Sequence, residues 1–145
     1  MKIEPRATLL LLVFAVACAP RTPAATESHP SAIPPRELTG TSWRLVSLEG
    51  AAVPEKPEAT LEFAEAGKVA GRASCNRFFG TVEVSGGSIR FGPLAATKMS
   101  CGDAVDAQER RYLQALQAAE RFDLNGDALR IDSRGVEQPL RFARR

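Results

Sequence analysis

The apolar run Ala7–Ala17, broken only by Thr8, restricts this chain more than any other feature, because it takes the first part of the sequence out of the folded body. It follows a short basic start, Lys2 and Arg6, diluted by Glu4. About eleven residues of helix reach about 16 Å, against a bilayer core of about 30 Å. That length suits the hydrophobic region of a signal peptide. The alternative is a buried core helix, but the run has no polar face and leads into a linker. Ala15-Val16-Ala17 also meets the A-x-A rule for cleavage before Cys18. Ala19–Arg36 carries Pro20, Pro23, Pro30, Pro34 and Pro35 among Ala, Thr and Ser, with no apolar periodicity. Prolines fix φ and remove donors, so an extended tether is expected there. His29, the sole histidine, falls in this tether and reads as a solvated linker residue. The predicted organisation is a signal peptide over 1–17, Cys18 and a linker over 18–37, and one domain over 38–145.

The segment Ala15-Val16-Ala17-Cys18 resembles a bacterial lipobox, in which small residues precede a cysteine that becomes the lipidated N-terminus. Ala15 departs from the Leu usual at its position. The resemblance implies a diacylglyceryl thioether on Cys18 and an amide-linked chain such as palmitate. Two or more acyl chains give stable membrane attachment. Ala19 follows the cysteine. By analogy with enterobacterial sorting, a residue other than Asp there points to the outer membrane, facing the periplasm.

From Leu38 onward the pattern is short alternating strands. Ser42–Glu49 centres on Trp43, Leu45 and Leu48, and Ala51–Pro57 reads as a loop. Ala59–Ala64 alternates Ala59, Leu61 and Phe63 with Thr60 and Glu62. Glu65-Ala66-Gly67-Lys68 turns into Val69–Ser74. Val82 and Val84 mark a strand that Gly86-Gly87 turns toward Ile89 and Phe91. Asn125-Gly126 joins Phe122–Leu124 to Leu129–Asp132 as a hairpin, and Arg134-Gly135 leads to a last strand with Leu140 and Phe142 inward. One helix interrupts the strands. Val105, Tyr112, Leu113, Leu116 and Ala119 share its apolar stripe, and Asp103 is its expected N-cap. Meandering strands with one apolar face must curl or be covered. The expected fold is mostly β (α+β): a small antiparallel bent sheet or partly open barrel of about seven or eight strands, closed by one helix.

Much chemistry is excluded. The formal net charge is only +2, which gives no strong field for nucleic acid. With no histidine beyond 29, the domain lacks a Ser/His/Asp triad, a base for a cysteine nucleophile, and a zinc-ligating imidazole. Asp123-Leu124-Asn125-Gly126-Asp127 mimics the start of a calcium loop, but Ala128 and Arg134 stand where Gly and Glu are needed. No cofactor, metal or catalytic residue is therefore expected. With Cys18 lipidated, Cys75 and Cys101 remain. In an oxidising compartment an even remainder reads as a disulfide, and two buried free thiols are the alternative.

The two cysteines lie in the most distinctive stretches. Ser74-Cys75-Asn76-Arg77-Phe78-Phe79-Gly80 and Thr97-Lys98-Met99-Ser100-Cys101 resemble the two signatures of the META/HslJ domain family. The order agrees too: an opening strand with Trp43, the C-N-x-x-x-G motif, the T-x-M-x-C segment, a helix containing Glu109, then hairpins. Ser74 stands where the family commonly has Gly. Asn76 and Gly80 suit a tight, hydrogen-bonded loop, with Phe78 and Phe79 divided between core and surface. The resemblance implies a β-rich domain of stress-linked envelope lipoproteins without catalytic residues. The expectation is a non-enzymatic binding module that meets the membrane through its lipid and contacts an envelope protein partner. Alternatives are carriage of an apolar ligand between sheet and helix, and protease inhibition through the 51–57 loop.

Overall fold

The computed structural model describes residues 38–145. The signal segment, Cys18, the tether and His29 lie outside the described residues. The chain order is β1 (Thr41–Leu48), β2 (Ala51–Ala52), β3 (Thr60–Phe63), β4 (Lys68–Arg72), β5 (Arg77–Ser85), β6 (Ser88–Phe91), β7 (Ala95–Ala96), α1 (Asp103–Gln117), β8 (Ala119–Asn125), β9 (Ala128–Ser133) and β10 (Leu140–Arg144).

Eight of these strands follow one another around a closed antiparallel barrel, in the order β1, β3, β4, β5, β6, β8, β9, β10. Pairing of β10 with β1 closes it, with Trp43 opposite Arg144 and Leu45 opposite Phe142. Closure leaves none of the eight as an open edge. The two-residue strands β2 and β7 are side additions on β1 and β5.

Strand β1 shows how closure is achieved. Trp43 and Leu45 point inward, but the next inward residue is Leu48 rather than residue 47. The register against β10 slips between Leu45 and Ser47, and an extra residue there restores an inward Leu48. Such a bulge also bends its strand, which a small barrel needs.

The turns differ in detail from the sequence expectation. Glu49 and Gly50, at φ +52° and +81°, turn β1 back into β2, so the expected 51–57 loop begins with a short strand. Gly86 and Gly87 both hold positive φ, as a type I′ hairpin requires. The β8–β9 turn is Gly126-Asp127, one residue later than expected. Asn125 pairs with Ala128 inside the ladder, and only Gly126 has positive φ. Gly at the first central position is the type II′ arrangement.

Helix α1 plugs the barrel. Its buried residues are Glu109, Tyr112, Ala115 and Leu116. Tyr112 stands edge-on to Phe78 at 6.0 Å between centroids, and its hydroxyl donates to the Thr60 carbonyl at 3.1 Å. Burial raises the Tyr112 phenol well above its ordinary value, so it stays a neutral donor. Two expectations for the helix fail. Ala119 is the first residue of β8, and Asp103 is the first helical residue, not the cap. The cap position is Gly102 at φ +101°, and no side chain caps the helix end.

Candidate functional site

The two sequence signatures meet at the mouth of the barrel beside α1. Cys75 and Cys101 are joined as a disulfide, with Cα atoms 5.9 Å apart and a sequence separation of 26. Cys75 is buried and Cys101 exposed. The bond ties the entry of β5 to the segment that leads into α1.

Asn76 is the centre of this corner. Its Nδ2 donates to Glu109 Oε1 at 2.7 Å and to the Met99 carbonyl at 2.9 Å. Its Oδ1 accepts from Thr97 Oγ1 at 2.7 Å and from the Met99 N–H at 2.8 Å. An asparagine amide offers two donors and two acceptor lone pairs, and here all are used. The Asn76 backbone N–H donates to Glu109 Oε2 at 2.8 Å. Both oxygens of the buried Glu109 carboxylate are thus held by one residue. The arrangement is a buried clip joining β5, the 97–101 segment and α1. A fully satisfied buried network rigidifies, whereas a half-satisfied one is costly.

Supporting bonds surround the clip. Ser74 has φ +87°, which accounts for the glycine usual at that place in the family motif. Its Oγ accepts from Gln108 Nε2 at 2.7 Å. Asp106, in the first turn of α1, accepts from the Cys101 N–H at 3.0 Å and from Ser100 Oγ at 2.6 Å. The Cys101 N–H, then the Ser100 hydroxyl, and lastly the Arg110 charge hold the Asp106 carboxyl below its ordinary value. An acidic group there also faces the positive end of the helix dipole.

Of the motif residues, Asn76 is hydrogen-bonded as expected and Gly80 is not where the sequence reading put it. Gly80 is not a positive-φ loop residue; it lies within β5, which absorbs the C-N-x-x-x-G motif from Arg77 onward. A Cβ on it would stand 2.8 Å from both Leu94 Cδ2 and the Pro93 carbonyl, so glycine is needed there for space. Met99 serves through its backbone, while its side chain is 61% exposed. Phe78 is in the core and Phe79 is 64% exposed, the division expected of the pair. Glu109 and Thr97 enter the sequence reading only as parts of the family pattern, with no role attached, and Gln108 carries no signal there. The signal for Glu109 is legible: it falls on the apolar stripe of Val105, Tyr112 and Leu116, where a carboxylate must find a buried partner.

Among the described residues no group of three or more His, Cys, Asp and Glu side chains could hold a metal, and no helix is long and apolar enough to cross a membrane.

The fold and corner define a class: small closed antiparallel β-barrels plugged by a helix that falls, in chain order, between the fifth and sixth barrel strands and stapled by a disulfide at the plug. The family model described as META domain matches residues 36–145, and the chain belongs to that family. An NMR structure of a protein from Burkholderia xenovorans is 25% identical with a TM-score of 0.64, covering 88% of this chain and 99% of that one. A second NMR structure is 26% identical with a TM-score of 0.63, covering 77% of this chain and 94% of that one. A crystal structure of a DUF4847 family protein from Bacteroides vulgatus ATCC 8482 shares the fold at 13% identity and a TM-score of 0.56, covering 74% and 94%. No curated protein matches the chain.

Proposed function

We propose that this chain is an exported bacterial lipoprotein, anchored by an acylated Cys18 in the outer membrane, whose META domain is a stress-linked, non-catalytic module that binds an envelope protein. The observation that carries this reading is the apolar run ending in Ala15-Val16-Ala17-Cys18, followed by the proline-rich stretch up to the barrel. The Cys75–Cys101 bond supports it, since such bonds persist in oxidising compartments. The occupied Glu109 carboxylate and the histidine-free domain favour binding over catalysis. Carriage of an apolar ligand has less support. Trp43, Tyr112, Phe78 and Phe142 fill the space between sheet and helix where that ligand would sit.

The test compares intact mass and membrane fractionation of the wild type and Cys18→Ser in a bacterial host. The wild type should carry acyl mass and sediment with outer membranes, and the variant should lose both properties. A water-soluble, unmodified wild type that still bears Met1 would refute the anchor. Turnover of an envelope substrate, abolished by a point substitution in the domain, would refute the non-catalytic reading.

A further inference from the structure

On the outer face of β3, β4 and β5 lies an open cleft of about 530 Å³, lined by Glu58, Thr60, Glu62, Arg72, Arg77, Phe79 and Arg145 among others. That volume is in the range of small-ligand sites. The cleft does not include the disulfide, although core Phe78 is among its lining residues.

Its charges are unevenly satisfied. Arg145 lies 3.2 Å from Glu58 and 3.7 Å from Glu62, so these three form their own cluster. Arg72 and Arg77 are directly opposite each other across the β4–β5 ladder. Their backbone N–H groups are bonded to Thr60 Oγ1 and Thr97 Oγ1. Their guanidinium groups make no hydrogen bond or ion pair with any described residue. Like charges at directly opposed strand positions are destabilising. An anion between them would reverse that penalty.

Beside this pair stands Phe79. Its ring is exposed because both its cross-strand partners, Ala70 on β4 and Ala95 on β7, are too small to cover it. Arg145 is offset by Glu58 and Glu62, so Arg72 and Arg77 are the cations left to a ligand, and the two neighbouring glutamates disfavour a phosphate ester, which carries about −1.5 to −2.

The geometry points to a binding site for a carboxylate borne next to an aromatic or other flat apolar group. Arg72 and Arg77 take the carboxylate through their planar forks, and the apolar group lies on Phe79. Two sources supply this chemistry: a small aromatic acid, or the free C-terminus of a polypeptide ending in an aromatic residue. The site does not depend on the anchor or on the stress role.

The test titrates the full chain, solubilised in detergent, with phenylacetate while following the amide resonances of Arg72, Arg77 and Phe79 by NMR. Acetate, phenylacetamide, and a short peptide ending in Phe, as free acid and as amide, are the comparison probes. Phenylacetate should give saturable shifts at these residues, with acetate and phenylacetamide about tenfold weaker or more. Arg72→Gln with Arg77→Gln, and separately Phe79→Ala, should weaken phenylacetate by a similar factor with Trp43 fluorescence unchanged. Tighter binding of the free-acid peptide than of phenylacetate and of its own amide assigns the polypeptide source; binding of the small acid alone assigns the other. The inference is overturned if no probe saturates, if acid and amide bind equally, or if the folded arginine double variant binds as the wild type does. The acid-against-amide comparison uses only the unaltered protein, so it stands even if a variant does not fold.

Discussion

Replacing Glu109 by Gln tests the clip without changing side-chain volume, so no cavity contributes. In the native corner both carboxylate oxygens accept from Asn76, at 2.7 Å and 2.8 Å. Glutamine offers one oxygen and one NH2 group. Either orientation puts that NH2 group against a donor, the Asn76 side-chain amide or its backbone N–H. One charge-assisted bond is lost, at about 1.5–3 kcal/mol, and the stranded buried donor costs about 1–3 kcal/mol. The remaining bond falls from charge-assisted to neutral strength. Partial relaxation at the mouth of the barrel lowers the sum, and a net loss of about 3 kcal/mol is expected. For a domain of about 100 residues that corresponds to a fall in Tm of roughly 12 °C or more. The assay is urea unfolding followed by Trp43 fluorescence with the disulfide intact, with Glu83→Gln on the exposed face of β5 as control. The control should stay within about 0.5 kcal/mol of the wild type. A Glu109→Gln loss below about 1 kcal/mol would refute the argument that one residue's amide groups hold a desolvated carboxylate.

Two further outcomes follow from the same corner. Reducing the Cys75–Cys101 bond frees a loop of about 25 residues and should cost roughly 3 kcal/mol in the chain-entropy model, read as a lower urea midpoint. An unchanged midpoint would refute the chain-entropy account of this bond. Asp106 has a depressed carboxyl in the folded state, so its contribution is present above the unfolded value and lost as pH falls through the folded one. The stability gap between wild type and Asp106→Asn should therefore be largest near neutral pH and close on the acid side of the ordinary carboxylate range. A gap constant over that range would refute this.

The strand and helix content was legible because it rests on local periodicity. Leu61 and Phe63 alternate with Thr60 and Glu62, Gly86-Gly87 permits one kind of turn, and a stripe through Tyr112 and Leu116 makes one face of a helix. The reading of the N-terminal run and Cys18 also rests on local sequence alone, and those residues lie outside the described ones. The family signatures located the corner but not how it works. Gly80 reads as a turn residue until Leu94 and Pro93 are seen against it, and nothing in the motif says that Met99 is used through its backbone.

What the sequence could not decide is long-range. Nothing in β1 or β10 alone states that Leu45 meets Phe142 and closes the barrel, because that register depends on the bulge and on the twist of every strand between them. Nor does Asn76 announce Glu109, 33 positions away, as its partner. Pairing of polar groups across the fold is settled by which atoms lose water together, and only the packed chain determines that. Arg72 and Arg77 are ordinary surface cations in the sequence, and become a paired positive site only when β4 and β5 lie side by side.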